Sequence, residues 1–148
     1  MDSKRNTDQV GLPGLRRVLE RCPETTFIAH ATHWWAEISG DIRDEDRGGY
    51  PKRPVTPGGM VDRVFQTYPN IYGDLSAGSG YNALTRDPAF GRAFLERNRE
   101  RLLFGTDYFR PGQQTPIVEY IKTMTISEEA RSLITRKNAE RVLGGTTR

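Results

Sequence analysis

Arg101-Leu102-Leu103-Phe104-Gly105-Thr106-Asp107-Tyr108 is the stretch that decides how this chain folds. An arginine leads into three bulky apolar residues, then a glycine and an acid. A strand covered on both faces is continuously apolar and meets solvent only at its C-terminal end, so the run predicts a buried parallel strand near 102–105 ending in a loop. Where parallel strands alternate with helices, reacting groups project from the C-terminal ends of the strands. Asp107 is therefore a site candidate, with the cap of an ordinary turn as its plain alternative.

Working back from that strand, Pro88 to Glu100 predicts the helix that feeds it, with Phe90, Ala93 and Phe94 facing inward. Upstream, Asn70-Ile71-Tyr72-Gly73-Asp74-Leu75 predicts a second strand. It runs into Ser76-Ala77-Gly78-Ser79-Gly80, expected to be a flexible loop whose glycines let backbone approach a ligand. Gly58-Gly59 opens a helix with Met60, Val61, Val64 and Phe65 on one face, ending at Tyr68-Pro69. Before it lies a long segment, Ala31 to Pro57, with Trp34, Trp35, Tyr50 and three prolines but no sustained period; loops of that length are uncommon unless functional. Thr25 to Ala29 predicts the first strand and delivers His30 to its end. The helix before it starts at Gly11-Leu12-Pro13-Gly14 and stops before Pro23.

Residues 1–10 are polar and predict a frayed lead-in to a single domain over 11–148. At the other end, a helix is expected near Thr115 to Met124 and another from Ser127 to Leu143. Ser127 is placed to cap the second, with Glu128 and Glu129 favourable against the helix dipole. The resulting order is helix, strand, helix, strand, helix, strand, helix, helix, which implies right-handed crossovers and a parallel sheet. Three strands do not close a barrel, and a complete eightfold barrel needs upwards of roughly 200 residues.

Composition bounds the function. The 148 residues are 35% hydrophobic and 28% charged, with a net charge of +3, the balance of a globular protein. A pI near 9.2 invites a nucleic-acid reading. However, Arg92, Arg97, Arg99 and Arg101 alternate with Glu96 and Glu100, the pattern of a solvated helix face, so no nucleic-acid partner is expected. Cys22 stands alone, which excludes a disulfide framework and a four-cysteine zinc knuckle. No run approaches membrane-spanning length, and a cytoplasmic setting is expected.

His30, Asp74 and Asp107 each follow an apolar or aromatic run at the same end of a strand. An imidazole and carboxylates converging there suit metal-assisted hydrolysis, in which a carboxylate holds an ion or orients its water and a histidine moves a proton. Each has a plainer role open to it: a satisfied buried histidine, a loop cap, a turn. His30-x-x-His33 alone lacks the third and fourth ligands of a metal site.

The chain resembles the C-terminal part of the amidohydrolase superfamily, in the amidohydrolase-related branch that holds aminocarboxymuconate-semialdehyde decarboxylase. The resemblance rests on Gly11-Leu12-Pro13-Gly14-Leu15, Phe27-Ile28-Ala29-His30, Trp34-Trp35, Tyr68-Pro69-Asn70-Ile71-Tyr72-Gly73-Asp74-Leu75-Ser76, Leu103-Phe104-Gly105-Thr106-Asp107 and Asn138-Ala139-Glu140-Arg141-Val142-Leu143, in that order. It implies a partial eightfold (βα) barrel of the TIM type, strands six to eight. It further implies a metal-dependent hydrolase or nonoxidative decarboxylase acting on a small molecule. By the same resemblance Asp107 is a metal ligand that handles a water proton, His30 is ligand or acid/base, and Asp74 and Ser76 shape the substrate pocket with Trp34 and Trp35 walling it.

One departure from the family is large. Its His-x-His after strand one and its histidine after strand five have no counterpart, and His30 and His33 are the only histidines. The resemblance is to half an enzyme: a fragment, an inert remnant, or a chain completed by self-association or a partner half-barrel. Zinc or manganese is the expected cofactor, weakly bound by these residues alone.

Overall fold

The computed structural model describes residues 7–144. Each strand is short and is delivered by a helix that stops just before it. Helix α1 (Pro13–Arg21) has proline in its first turn and leads to β1 (Phe27–Ala29). Helix α3 (Met60–Thr67) delivers β2 (Ile71–Asp74), and α4 (Ala77–Thr85) with α5 (Pro88–Arg97) delivers β3 (Leu102–Leu103) through a 3-10 turn at Arg99–Arg101. Helix α2 (Thr32–Ala36) follows β1 directly. Helix α6 (Pro116–Thr123) comes next after β3. The chain then runs through α7 (Glu128–Ser132), a π-helical turn (Leu133–Lys137) and α8 (Asn138–Val142).

The sheet is parallel throughout, in the order β1-β2-β3. Phe27, Ile28 and Ala29 stand beside Ile71, Tyr72 and Gly73, while Gly73 and Asp74 stand beside Leu102 and Leu103. All three C-terminal ends therefore share one rim. The helices cover one face with a core that includes Leu19, Val61, Ile71, Leu84, Phe94 and Leu102, each no more than 1% exposed. At about 1.5–3 kcal/mol per fully buried large apolar side chain, this layer supplies most of what holds the sheet to its helices. Asn70 ties α1 to the sheet, its side-chain amide donating to the carbonyls of Leu19 (3.3 Å), Cys22 (3.0 Å) and Thr25 (3.2 Å).

Several expectations change. Of the expected polar lead-in, residues 1–6 lie outside the described residues. Within the remainder, Asp8 accepts from the N–H groups of Gly14 (2.9 Å) and Leu15 (2.7 Å), capping the first turn of α1. The segment expected to be a flexible glycine loop at 76–80 is the start of α4. A Cβ on Gly80 would fall 2.2 Å from the carbonyl oxygen of Leu75, so this glycine serves a close backbone crossing rather than mobility. The long segment 31–57 holds α2 and a 3-10 turn at Asp44–Asp46.

That segment is strapped down by charge. Arg53 donates to both carboxylate oxygens of Asp46 (3.0 and 2.8 Å) and to Asp41 (3.1 Å), and the first of these contacts leads in pulling the Asp46 carboxyl down to about 2. Deeper in, Glu37 and Arg47 are both 1% exposed. Arg47 Nε lies 3.2 Å from Glu37 Oε1, and the Glu37 carboxylate accepts from the Gly11 N–H. Burial leads in pushing the Glu37 carboxyl up, with the Gly11 bond and the Arg47 charge opposing it.

Of the two outer strands, only β1 presents an open edge among the described residues. On the outer side of β3, Phe104 N–H donates to the Ile134 carbonyl in the π-helical turn (2.9 Å). The buried Asn138 side chain donates to the carbonyls of Leu102 (2.8 Å) and Arg99 (2.6 Å).

Candidate active site

β1 ends at Ala29, and His30 projects from it at the rim. The next residue, Ala31, has φ 79, a backbone region that favours glycine. Ala77 (φ 62) and Asp107 (φ 53) repeat the feature after β2 and β3. Strained backbone thus follows every strand at this one end of the sheet, where such conformations tend to accompany function.

His30 meets the end of the neighbouring strand. Its Nδ1 lies 3.1 Å from Asp74 Oδ2 and 3.2 Å from Ser76 Oγ, with the imidazole 37% exposed and the carboxylate 26%. Ser76 binds the same acid twice, through its N–H to Oδ1 (2.9 Å) and its hydroxyl to Oδ2 (2.7 Å). The main-chain carbonyl of Asp74 accepts from the Trp35 indole N–H at 2.8 Å. Because its hydroxyl is engaged with Asp74, Ser76 stands at the N-terminus of α4 without capping it.

The exit of β3 passes over this cluster. A Cβ on Gly105 would lie 2.9 Å from Asp74 Oδ1 and 3.1 Å from Ser76 Cβ, so only glycine lets the chain cross here without a shift. Two residues later Asp107 opens onto a cavity of about 250 Å³ shared with Tyr50, Gly78, Phe109 and Arg110. The Tyr50 phenol lies across Gly78, and Asn82 holds the segment beside it through the Pro51 carbonyl (3.2 Å). Asp107 is exposed; its main-chain carbonyl accepts from the Gln113 side chain (2.8 Å), and its carboxylate bonds to no other described residue.

The rim therefore joins His30, Asp74 and Ser76 by direct contact and carries Asp107 beside them on a separate wall. Trp34 and Trp35 are 4% and 2% exposed. Their rings sit edge-on to each other and to Phe65 and Phe94, so both indoles belong to the core beneath the rim. The one polar side-chain contact of His33 among the described residues is to Thr32 Oγ1, at 3.4 Å. The sequence marks Tyr50 within the long loop and Gly105 after the third strand, but an aromatic in an aperiodic loop and a glycine after a strand gave no signal of the contacts they make.

As for a metal, no three His, Cys, Asp or Glu side chains among the described residues are grouped closely enough to hold an ion. Three of the roughly four lone-pair sites of the Asp74 carboxylate are engaged, whereas His30 Nε2 and the Asp107 carboxylate make no hydrogen bond to the described residues.

The sequence matches the Amidohydrolase family over residues 1–145. The chain belongs to the amidohydrolase family. No curated protein and no solved structure gives a match. Membership makes this α/β unit part of a family of hydrolase-type enzymes that act on small molecules and generally use divalent metals, with the TIM barrel as the architecture to which a three-stranded parallel unit conforms. No described helix of this amidohydrolase is long and apolar enough to cross a membrane.

Proposed function

We propose that this amidohydrolase is the strand-six-to-eight part of a metal-dependent enzyme of the aminocarboxymuconate-semialdehyde decarboxylase-like branch. It would hydrolyse a C–N or ester bond, or remove a carboxyl group nonoxidatively, on a small molecule held at the C-terminal rim. The observation that carries the reading is the contact between His30 and Asp74 at that rim. A histidine steadied by a carboxylate from the next strand is built to move a proton, and the β3 exit that crosses it leads directly to Asp107.

In this reading His30 is ligand or acid/base beside the ion, and Asp107 would hold the ion and handle the proton of its water. The cavity beside Asp107 takes the substrate, with Tyr50 over it. Asp74 and Ser76 shape the pocket through the histidine they hold, and Trp34 and Trp35 support the rim from beneath. The described residues fall short of a metal site, since a catalytic zinc takes about three protein ligands and keeps one position open. The remaining ligands come from elsewhere, through a partner half-barrel or through further chain, and β1 offers the free edge at which such a half would join.

Titration of the purified chain with zinc or manganese tests this. Weak binding that is lost in His30→Ala and Asp107→Ala, with no robust turnover of amide, ester or carboxylate substrates, is the expected result. Tight binding indifferent to both substitutions would remove His30 and Asp107 from the site.

A further inference from the structure

We infer that Asp74 and Ser76 are positioning residues that fix His30 as its Nδ1–H tautomer, leaving the ring to act through Nε2. The argument is one of counting protons. Asp74 Oδ1 is taken by the Ser76 N–H at 2.9 Å. Ser76 has a single hydroxyl proton, and the 2.7 Å contact to Asp74 Oδ2 claims it, the shortest and only charge-assisted bond open to that proton. Nothing then remains to donate to His30 Nδ1. That nitrogen lies 3.1 Å from a carboxylate oxygen and 3.2 Å from a hydroxyl oxygen, so an Nδ1 lone pair would face two others. A proton on Nδ1, shared between Asp74 Oδ2 and Ser76 Oγ, turns both contacts into hydrogen bonds. The lone pair of the neutral ring then resides on Nε2.

The consequence separates the roles at this rim. The Asp74 carboxylate accepts three hydrogen bonds, which take three of its roughly four lone-pair sites, and its main-chain carbonyl accepts another from Trp35, so its contacts serve to hold the histidine. Trp35 anchors the end of β2 to the core, Asp74 transmits that position to the imidazole, and Ser76 closes the geometry. A histidine whose far nitrogen is held in this way keeps both its tautomer and its ring orientation. The tautomer follows from these contacts alone; its use in proton transfer rests on the function proposed above.

The experiment is a long-range 1H–15N correlation spectrum of the full chain labelled with [15N]histidine, recorded where the rings are neutral. His30 and His33 are the only histidines, so His33→Gln assigns the spectrum. His30 should show a pyrrole-type Nδ1 and a pyridine-type Nε2. Asp74→Asn should exchange the two: Ser76 N–H requires the amide oxygen at the Oδ1 position, which turns the amide NH2 toward Nδ1. Asp74→Ala should relax His30 toward the Nε2–H form preferred by free histidine, and unchanged His33 resonances would show that the fold persists. Ser76→Ala should keep Nδ1–H, because Asp74 still accepts it, but should shift the His30 resonances as the ring and the carboxylate lose the hydroxyl that orients them. An Nε2–H His30 in the unsubstituted chain overturns the inference without any variant, as does an Nδ1–H signal that survives both Asp74 substitutions. Zinc added to the same sample addresses the proposed function separately: a His30 Nε2 resonance that does not move denies the metal role while the tautomer stands.

Discussion

The backbone of Gly105 crosses the Asp74 carboxylate so closely that a Cβ on residue 105 would lie 2.9 Å from Asp74 Oδ1. The carboxylate cannot swing aside cheaply, because Ser76 and His30 hold it. Gly105→Ala should therefore cost about 1–3 kcal/mol, the usual range for overpacking a close contact. Urea denaturation measures the loss. The same variant should displace the His30 ring resonances, whereas a variant of unchanged stability and spectrum would mean that the strand exit does not press on the acid.

Glu37 and Arg47 should prove strongly coupled. Both are 1% exposed; Arg47 Nη1 donates to the Asp8 carbonyl (2.5 Å) and reaches the exposed Asp44 carboxylate at 3.4 Å, while Nε and Nη2 make no hydrogen bond among the described residues, so Glu37 is the buried negative charge beside this guanidinium. Glu37→Ala leaves the buried guanidinium with only the exposed Asp44 carboxylate and the Asp8 carbonyl, and should destabilise by about 3 kcal/mol, the lower end for a broken buried pair. Replacing the pair together, as Glu37→Leu with Arg47→Met, should recover much of that loss. A Glu37→Ala midpoint within experimental error of the parent would show that the pair contributes little.

Tyr120 sets an alkaline limit. Burial, with the neighbouring Tyr81 as the second cause, pushes its phenol from 10.0 up to about 12. The hydroxyl donates to the Leu84 carbonyl at 3.3 Å. A raised folded value means that the neutral phenol favours the native state, so this contribution is fully present below pH 10 and is lost as pH rises through 12. Tyr120→Phe removes the titrating group, and its urea midpoint should fall less steeply than the parent's between pH 10 and 12. Parallel curves for the two proteins over that window would exclude Tyr120 as a source of the alkaline loss.

The sequence made the strands and their direction legible because each is an apolar run between a helix stop and a polar rim residue, and a pattern of that kind survives without tertiary context. His30 and Asp74 were visible as rim residues for the same reason. Ser127 was legible as a cap, and it does accept from the Ala130 N–H at 3.2 Å. What escaped depended on partners distant in sequence. Gly80 read as a source of freedom because its neighbour, the Leu75 carbonyl, is visible only once α4 turns back on β2. Trp34 and Trp35 sit on a helix of five residues, too short to show a period, so nothing marked them as interior. The buried Glu37–Arg47 pair left no mark in the sequence, since a pattern of residue types does not record which charges meet.

The two edges of the sheet lead to the final prediction. Phe27 N–H donates to Asn70 O at 2.8 Å, so Phe27 and Ala29 face β2 and the backbone groups of Ile28 face outward, beside a side chain that is 47% exposed. The β3 edge is closed by Ile134 and Asn138. An unpaired strand edge is a template for another chain, so association should proceed through β1. Light scattering should show a mass that rises with concentration, and Ile28→Lys should suppress it by placing a charge at that edge. Asn138→Ala should act in the opposite sense. It strips two carbonyls of their donor, at about 1–3 kcal/mol for each buried group left unsatisfied, and opens a second edge, so larger assemblies should form. A parent chain that stays monomeric at high concentration would refute the association, and association insensitive to Ile28→Lys would place the contact elsewhere than on β1.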